Sequence, residues 1–231
     1  IMRFLLGGPE IPAELVAAQE RGEVIFICGA GVSMLVGLPS FRGLVLKVYD
    51  GLGEDPKLHL SENEVLRDGG ALAGQYDRML RLLERRLAAS NAIGRGSMYE
   101  RIRHEVSQTL APPAKADLNA HRALLNLSRD AQGTLRLVTT NFDTLFERAW
   151  PGEGPAPSHA VASMPQPKTT GCQGVLHLHG RIADPTLNLL ETDLVLTSAL
   201  EVLDLGGGGG GEAGRAGEGQ GVGALADRAG A

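Results

Sequence analysis

The chain has 231 residues, 43% of them hydrophobic, which is enough apolar material for one buried core and rules out wholesale disorder. A formal charge of −5 and a thin aromatic content (1 Trp, 3 Tyr, 5 Phe) argue against nucleic acid as a direct partner, because phosphates need a basic face and bases need stacking platforms. Two cysteines, Cys28 and Cys172, can build neither a disulfide framework nor a four-thiolate zinc site, and a reducing, cytoplasmic setting is expected.

The first residues, Ile1 to Gly8, hold only Phe4, Leu5 and Leu6 as an apolar stretch, too short for a secretory core. Ile11 to Arg21 follows a proline with apolar and charged residues interleaved, which predicts a short amphipathic helix. Val24 to Cys28 is a continuous β-branched and aromatic run, as in a strand covered on both faces. The uncharged run beginning at Val24 is shorter than the roughly 20 apolar residues of a spanning helix, so no membrane segment is expected.

From Glu64 to Ala89 the residues Leu72, Tyr76, Met79, Leu80, Leu83 and Leu87 recur at helical spacing, and Met98 to Leu110 reads the same way up to Pro112-Pro113. Residues 50–115 thus form a helical insertion without a strand. Asn119 to Leu127 is a further helix with Asp117 placed to cap it. Leu135 to Thr140 is a second strand, Thr144 to Trp150 is helical, and a proline-rich loop from Pro151 to Gln173 leads to a third strand, Val175 to His179. Glu191 to Leu203 suits a last helix. Residues 206–231 contain 12 glycines in 26 positions and should be disordered, either as a native Gly-rich tail or as the product of a shifted reading frame. The expected architecture is an α/β fold: a Rossmann-like parallel sheet with helices on both faces and the helical insertion, lacking its last strands. The α/β domain spans 1–205 and the tail 206–231.

In open parallel sheets ligands bind beyond the carboxyl ends of the strands. The first strand runs into Gly29-Ala30-Gly31-Val32-Ser33 and then Gly37-Leu38-Pro39-Ser40-Phe41-Arg42, where small residues let main-chain N–H groups approach a phosphate. It is not the spaced-glycine dinucleotide fingerprint, since Met34 stands in the third glycine's place, and it lacks the Gly-Lys-Ser/Thr of a P-loop. The alternative is a tight strand-to-helix turn with no ligand. The second strand ends Thr139-Thr140-Asn141-Phe142-Asp143 and the third ends His179-Gly180. An Asn, an Asp and a His at one sheet edge can orient a water or hydroxyl and accept its proton, although Asp143 also reads as a cap for the helix at Thr144. His177 alternates with His179 and has no obvious partner.

These three motifs in this order, with Thr140-Asn141-Phe142-Asp143-Thr144-Leu145-Phe146-Glu147-Arg148-Ala149 as the second and Leu178-His179-Gly180 as the third, resemble the sirtuin family over roughly residues 11–200. The likeness is nearest to the prokaryotic SIR2-like branch, known chiefly for NAD hydrolysis in anti-phage defence. The resemblance implies that Gly29, Ala30, Gly31 and Ser33 cradle the NAD pyrophosphate. It implies that Phe41 and Arg42 sit in a mobile loop closing over the nicotinamide ribose, that Asn141 holds a water there, that Asp143 contacts the nicotinamide carboxamide, and that His179 is the catalytic base.

Three departures qualify it. No cysteine follows the His-Gly motif, so no zinc module can be built; Ser40 and Thr140 stand where deacylases usually have Asp and Gln; and the later strands that hold the adenosine half are replaced by the Gly-rich tail. The implied function is an NAD glycohydrolase releasing nicotinamide and ADP-ribose, with NAD as substrate and no zinc. A homo-oligomer or a partner defence protein would complete it. The other readings are an inactive or truncated NAD-binding remnant and, last, an NAD-dependent protein deacylase.

Overall fold

The computed structural model describes residues 7–90, 95–166, 171–189 and 193–196, all within a unit spanning Ile1–Ser198. The Gly-rich tail predicted for 206–231, and most of the helix predicted for 191–203, lie outside the described residues. The sheet comprises β1 (Phe26–Cys28), β2 (Arg136–Thr139), β3 (Ser158–His159) and β4 (Gly174–His177), all parallel in the order β1-β2-β4-β3. This is the α/β, Rossmann-like architecture expected. Cys28, Thr139 and His177 are register partners at the carboxyl ends of their strands, so the segments leaving those three strands meet at one edge. A two-stranded antiparallel ribbon, β5 (Gly180–Arg181) and β6 (Asp193–Leu194), stands beyond that edge.

Eight α-helices are found among the described residues: α1 (Ala13–Glu20), α2 (Gly31–Met34), α3 (Phe41–Gly51), α4 (Leu60–Leu66), α5 (Tyr76–Ser90), α6 (Arg95–Thr109), α7 (Asn119–Leu127) and α8 (Leu145–Arg148). Helix α3 starts where Ser40 Oγ accepts the Gly43 N–H at 3.2 Å, an N-cap that satisfies one orphan donor. Its inner face, Leu44, Val45, Val48 and Tyr49, meets Met79, Leu80 and Leu83 of α5 and Met98, Ile102 and Val106 of α6. Each such side chain contributes roughly 1.5–3 kcal/mol by leaving water, and that sum makes an otherwise polar helical insertion cohere. The same core continues to the sheet through Phe146, Leu125, Leu137 and Val175. Tyr99 of α6 donates to the Leu194 carbonyl at 2.6 Å, tying the insertion to β6. No helix among the described residues is long and apolar enough to cross a membrane.

Four expectations need correction. The helix expected over 64–89 is two helices, because Gly69 and Gly74 take positive φ (75° and 85°) in the link between α4 and α5, which no continuing helix allows. The first strand is not covered on both faces: Ile25 and Ile27 are 55% and 72% exposed, and β1 is an edge strand among the described residues. The third strand stops at His177, and Leu178 and His179 form a turn before Gly180 at φ 80°. Asp193–Leu194, expected to be helical, is β6.

Candidate functional site

Strand β1 delivers Gly29 to Ser33 to the sheet edge, with Gly31 opening α2 and Ser33 buried inside it. Among the described residues, a side chain added at Gly31 would meet nothing within 4 Å, and one at Gly29 only Thr140 Oγ1 at 3.7 Å. Protein packing therefore does not demand glycine at either place. What the glycines leave is a bare main chain that a ligand's phosphates could approach closely, with Ala30 between them adding only a methyl group.

Strand β2 delivers Asn141 and Asp143, and here the parts lock together. Asn141 is 6% exposed and nearly every polar group it has is committed. Its N–H donates to Thr139 Oγ1 at 3.0 Å, and its Nδ2 donates to the Gly29 carbonyl at 3.2 Å and to Ser33 Oγ at 2.9 Å. Ser33 Oγ in turn donates to Asp143 Oδ2 at 2.7 Å, while Asp143 Oδ1 accepts the Leu145 N–H at 3.1 Å. The side-chain Oδ1 of Asn141 is buried and has no partner among the described residues. Such an oxygen costs about 1–3 kcal/mol unless something donates to it, so it marks where a hydroxyl or a water belongs.

Asp143 is 3% exposed; of its expected roles the helix cap is seen, with Oδ1 taking the first N–H of α8, and Oδ2 in addition fastens α2 to the β2–α8 loop. Burial pushes its carboxyl above the usual range, only partly offset by the Ser33 and Leu145 hydrogen bonds.

Phe41 and Arg42, expected in a loop, occupy the first turn of α3, because the Ser40 cap draws the segment into the helix. The Phe41 ring lies 6.4 Å from Tyr76 and 6.4 Å from Phe142, and Phe142 lies 6.5 Å from the ring of His179. Tyr76, Phe41, Phe142 and His179 thus form a row of rings along the carboxyl edge. His179 is exposed and its carbonyl accepts the Val195 N–H at 2.8 Å, which holds its backbone while leaving the imidazole at the rim. Arg42 is exposed.

Sequence reasoning missed the partners of His177. Its ring is fully buried, with Nδ1 2.9 Å from the Asn141 carbonyl and Nε2 2.7 Å from Glu147 Oε1, and Ser158 Oγ also donates to that oxygen. Burial opposes charge on both groups, but the attraction between the two charges outweighs it: His177 is raised above its ordinary value and Glu147 lowered. Asp184, also buried, ties down α8 by accepting from Arg148 Nε at 2.7 Å and Thr144 Oγ1 at 2.8 Å. No group of three His, Cys, Asp or Glu suited to a metal ion occurs among the described residues.

Residues 135–200, which span β2, α8, β4 and the His179 turn, match the family model of the SIR2-like domain. An uncharacterised protein of Sinorhizobium fredii (strain NBRC 101917 / NGR234), y4cA, is 41% identical over 203 residues, or 86% of this chain. The chain spans only 16% of that relative's length.

Proposed function

We propose that this domain cleaves NAD at the nicotinamide–ribosyl bond, giving nicotinamide and ADP-ribose. The observation that carries the proposal is the buried Oδ1 of Asn141, which has no partner among the described residues, while Nδ2 of the same amide binds the carbonyl of Gly29 in the open glycine segment. The SIR2-like match over 135–200 supports NAD as the ligand class, and it covers Asn141, Asp143 and His179.

NAD cleavage passes through a centre like the oxocarbenium ion of glycoside cleavage, so the protein must place a nucleophile beside the ribose and accept its proton. In this reading the main chain of Gly29 to Gly31 receives the pyrophosphate, and the Ser33 side chain, already committed to Asn141 and Asp143, sets the geometry rather than touching phosphate. Asn141 Oδ1 accepts a hydrogen bond from the attacking water or a ribose hydroxyl. His179 takes the water's proton as its oxygen bonds to the ribose carbon and neutral nicotinamide leaves. The aromatic rim of Phe41 and Phe142 shields that centre from bulk solvent, and Arg42 lies one residue away with a charge for the phosphates. Asp143, being buried and capped, meets a carboxamide only if the Ser33 hydrogen bond opens. A role in anti-phage defence, with a second copy or a defence protein as partner, belongs to the same proposal.

The test is release of nicotinamide from NAD by the purified chain, followed by chromatography. Turnover lowered about 10²-fold by His179→Ala and by Asn141→Ala supports the reading; an inactive wild-type chain that still binds NAD favours the remnant reading instead. The edge position of β1 favours that second reading, since among the described residues no strand pairs with β1 on its outer side.

A further inference from the structure

The imidazole of His177 joins three elements that sequence keeps apart. His177 closes β4, Glu147 lies in α8 and Ser158 opens β3, while the carbonyl that His177 binds belongs to the candidate catalytic residue Asn141. We infer that the buried His177–Glu147 pair is a positioning device: His177 holds the Asn141 main chain, and Glu147, fastened to Ser158, holds His177, so that Asn141 Oδ1 is aimed at the ligand.

The ladder explains why such a device is needed. Thr139 and His177 are the last register partners of β2 and β4, so the Asn141 carbonyl, two residues on, has left the sheet and has no strand to bond to. A carbonyl can only accept, which assigns a proton to His177 Nδ1. Nε2 then faces Glu147 Oε1, and a proton between them completes an imidazolium–carboxylate pair. With the N–H on Thr139, the carbonyl on His177 and Nδ2 on Gly29 and Ser33, Asn141 has one polar group left, and that group is Oδ1. A buried ion pair is weak evidence for stability, because an apolar pair of similar volume often does as well or better. Its position behind Asn141 is what gives it a functional use. The charged groups facing the ring are Glu147 on α8 and Asp143 in the loop before it.

This inference rests on the NAD-cleaving reading, and its test separates the two. The set is His177→Asn, whose amide can stand in for Nδ1; Glu147→Gln, which keeps an acceptor oxygen and removes the charge; and the apolar double variant His177→Leu with Glu147→Met. The double variant should fold, with thermal stability near or above that of His177→Asn. Its kcat for nicotinamide release should fall by about 10-fold or more, with KM for NAD changed far less, because the misplaced group acts after binding. His177→Asn should recover part of kcat although it packs worse, so the two rankings run in opposite directions. In Glu147→Gln the ring should become neutral with its proton kept on Nδ1, the tautomer that still holds the Asn141 carbonyl, so kcat should fall less than in the double variant.

The NMR readout needs no turnover. Wild-type protein should show two downfield ring N–H resonances that vanish in His177→Asn, and Asn141 side-chain amide resonances that move toward exposed values in the double variant. Unchanged kcat in the double variant, a kcat in Glu147→Gln as low as in the double variant, or absent ring N–H signals would each overturn the inference. Absent turnover with the NMR signature intact would defeat the NAD-cleaving reading alone.

Discussion

Replacing Ser33 by alanine removes one oxygen that is both donor to Asp143 Oδ2 (2.7 Å) and acceptor from Asn141 Nδ2 (2.9 Å). Asn141 keeps its bond to Gly29, but Asp143, 3% exposed, retains only the Leu145 N–H on its other oxygen. A hydrogen bond to a buried carboxylate is worth about 1.5–3 kcal/mol, against about 1 kcal/mol when the acid is protonated. The loss should therefore depend on pH. Burial already raises the Asp143 carboxyl in the folded state, so its contribution is fully present below the unfolded value and is lost as pH rises through the folded one. Taking away Ser33 raises it further and deepens that loss at neutral pH. Urea unfolding at pH 4.5, 6 and 8 should give a destabilisation growing from about 1 kcal/mol to about 2–3 kcal/mol, and the midpoint of thermal unfolding at pH 8 should fall by about 5–10 °C. A destabilisation that is flat with pH, or below about 0.5 kcal/mol throughout, would refute the assignment of a buried, titrating Asp143 held by Ser33.

Alanine at His179 or at Asn141 should each lower nicotinamide release by about 10², the scale of a lost base, and wild-type rates in both would remove the site assignment. His121 is fully buried against Phe146 with neither ring nitrogen partnered among the described residues, and burial lowers its pKa. Its neutral form is the folded form, so stability present above the ordinary imidazole range is lost as pH falls through that range toward the lowered value. His121→Leu should flatten the loss between pH 7 and 5 and raise stability by about 1 kcal/mol, measured by denaturant midpoints. Elemental analysis of the purified chain should find no stoichiometric zinc; one tightly held zinc per chain would reopen the deacylase reading.

The strands β1, β2 and β4 were legible as runs of β-branched and apolar residues, and the helices α6 and α7 as apolar patterns long enough to show a helical period. The break between α4 and α5 was not, since Leu66 and Leu72 keep the helical spacing going across glycines whose positive φ ends it. β3, β5 and β6 are two residues each and carry no period at all. At the site, the glycine segment, Asn141 and Asp143 were read to the right edge of the sheet, because strand ends fix where their sequels lie. The partner of His177 was hidden for a different reason: Glu147 stands 30 residues away and reaches it only once α8 folds back against β4. Its trace in sequence was a glutamate on a helix otherwise turned inward through Leu145 and Phe146. The turn that takes His179 off the strand was masked by the alternation of His177 and His179, which looked like continued pleating.

The register of β1 also orders events during synthesis. Phe26 pairs with Leu137, so the first strand leaves the ribosome 111 residues ahead of its partner. At about 5–20 residues per second the wait is on the order of 5–20 s. Within it α3, α5 and α6 can assemble from contacts close in sequence, whereas the backbone of Phe26, Ile27 and Cys28 stays unpaired until β2 arrives. The same late closure brings Ser33 to Asp143, so the network that shapes the site is among the last parts to form. A nascent chain arrested before residue 135 should therefore carry a folded helical insertion and an exposed β1, a natural substrate for a chaperone that binds extended apolar segments.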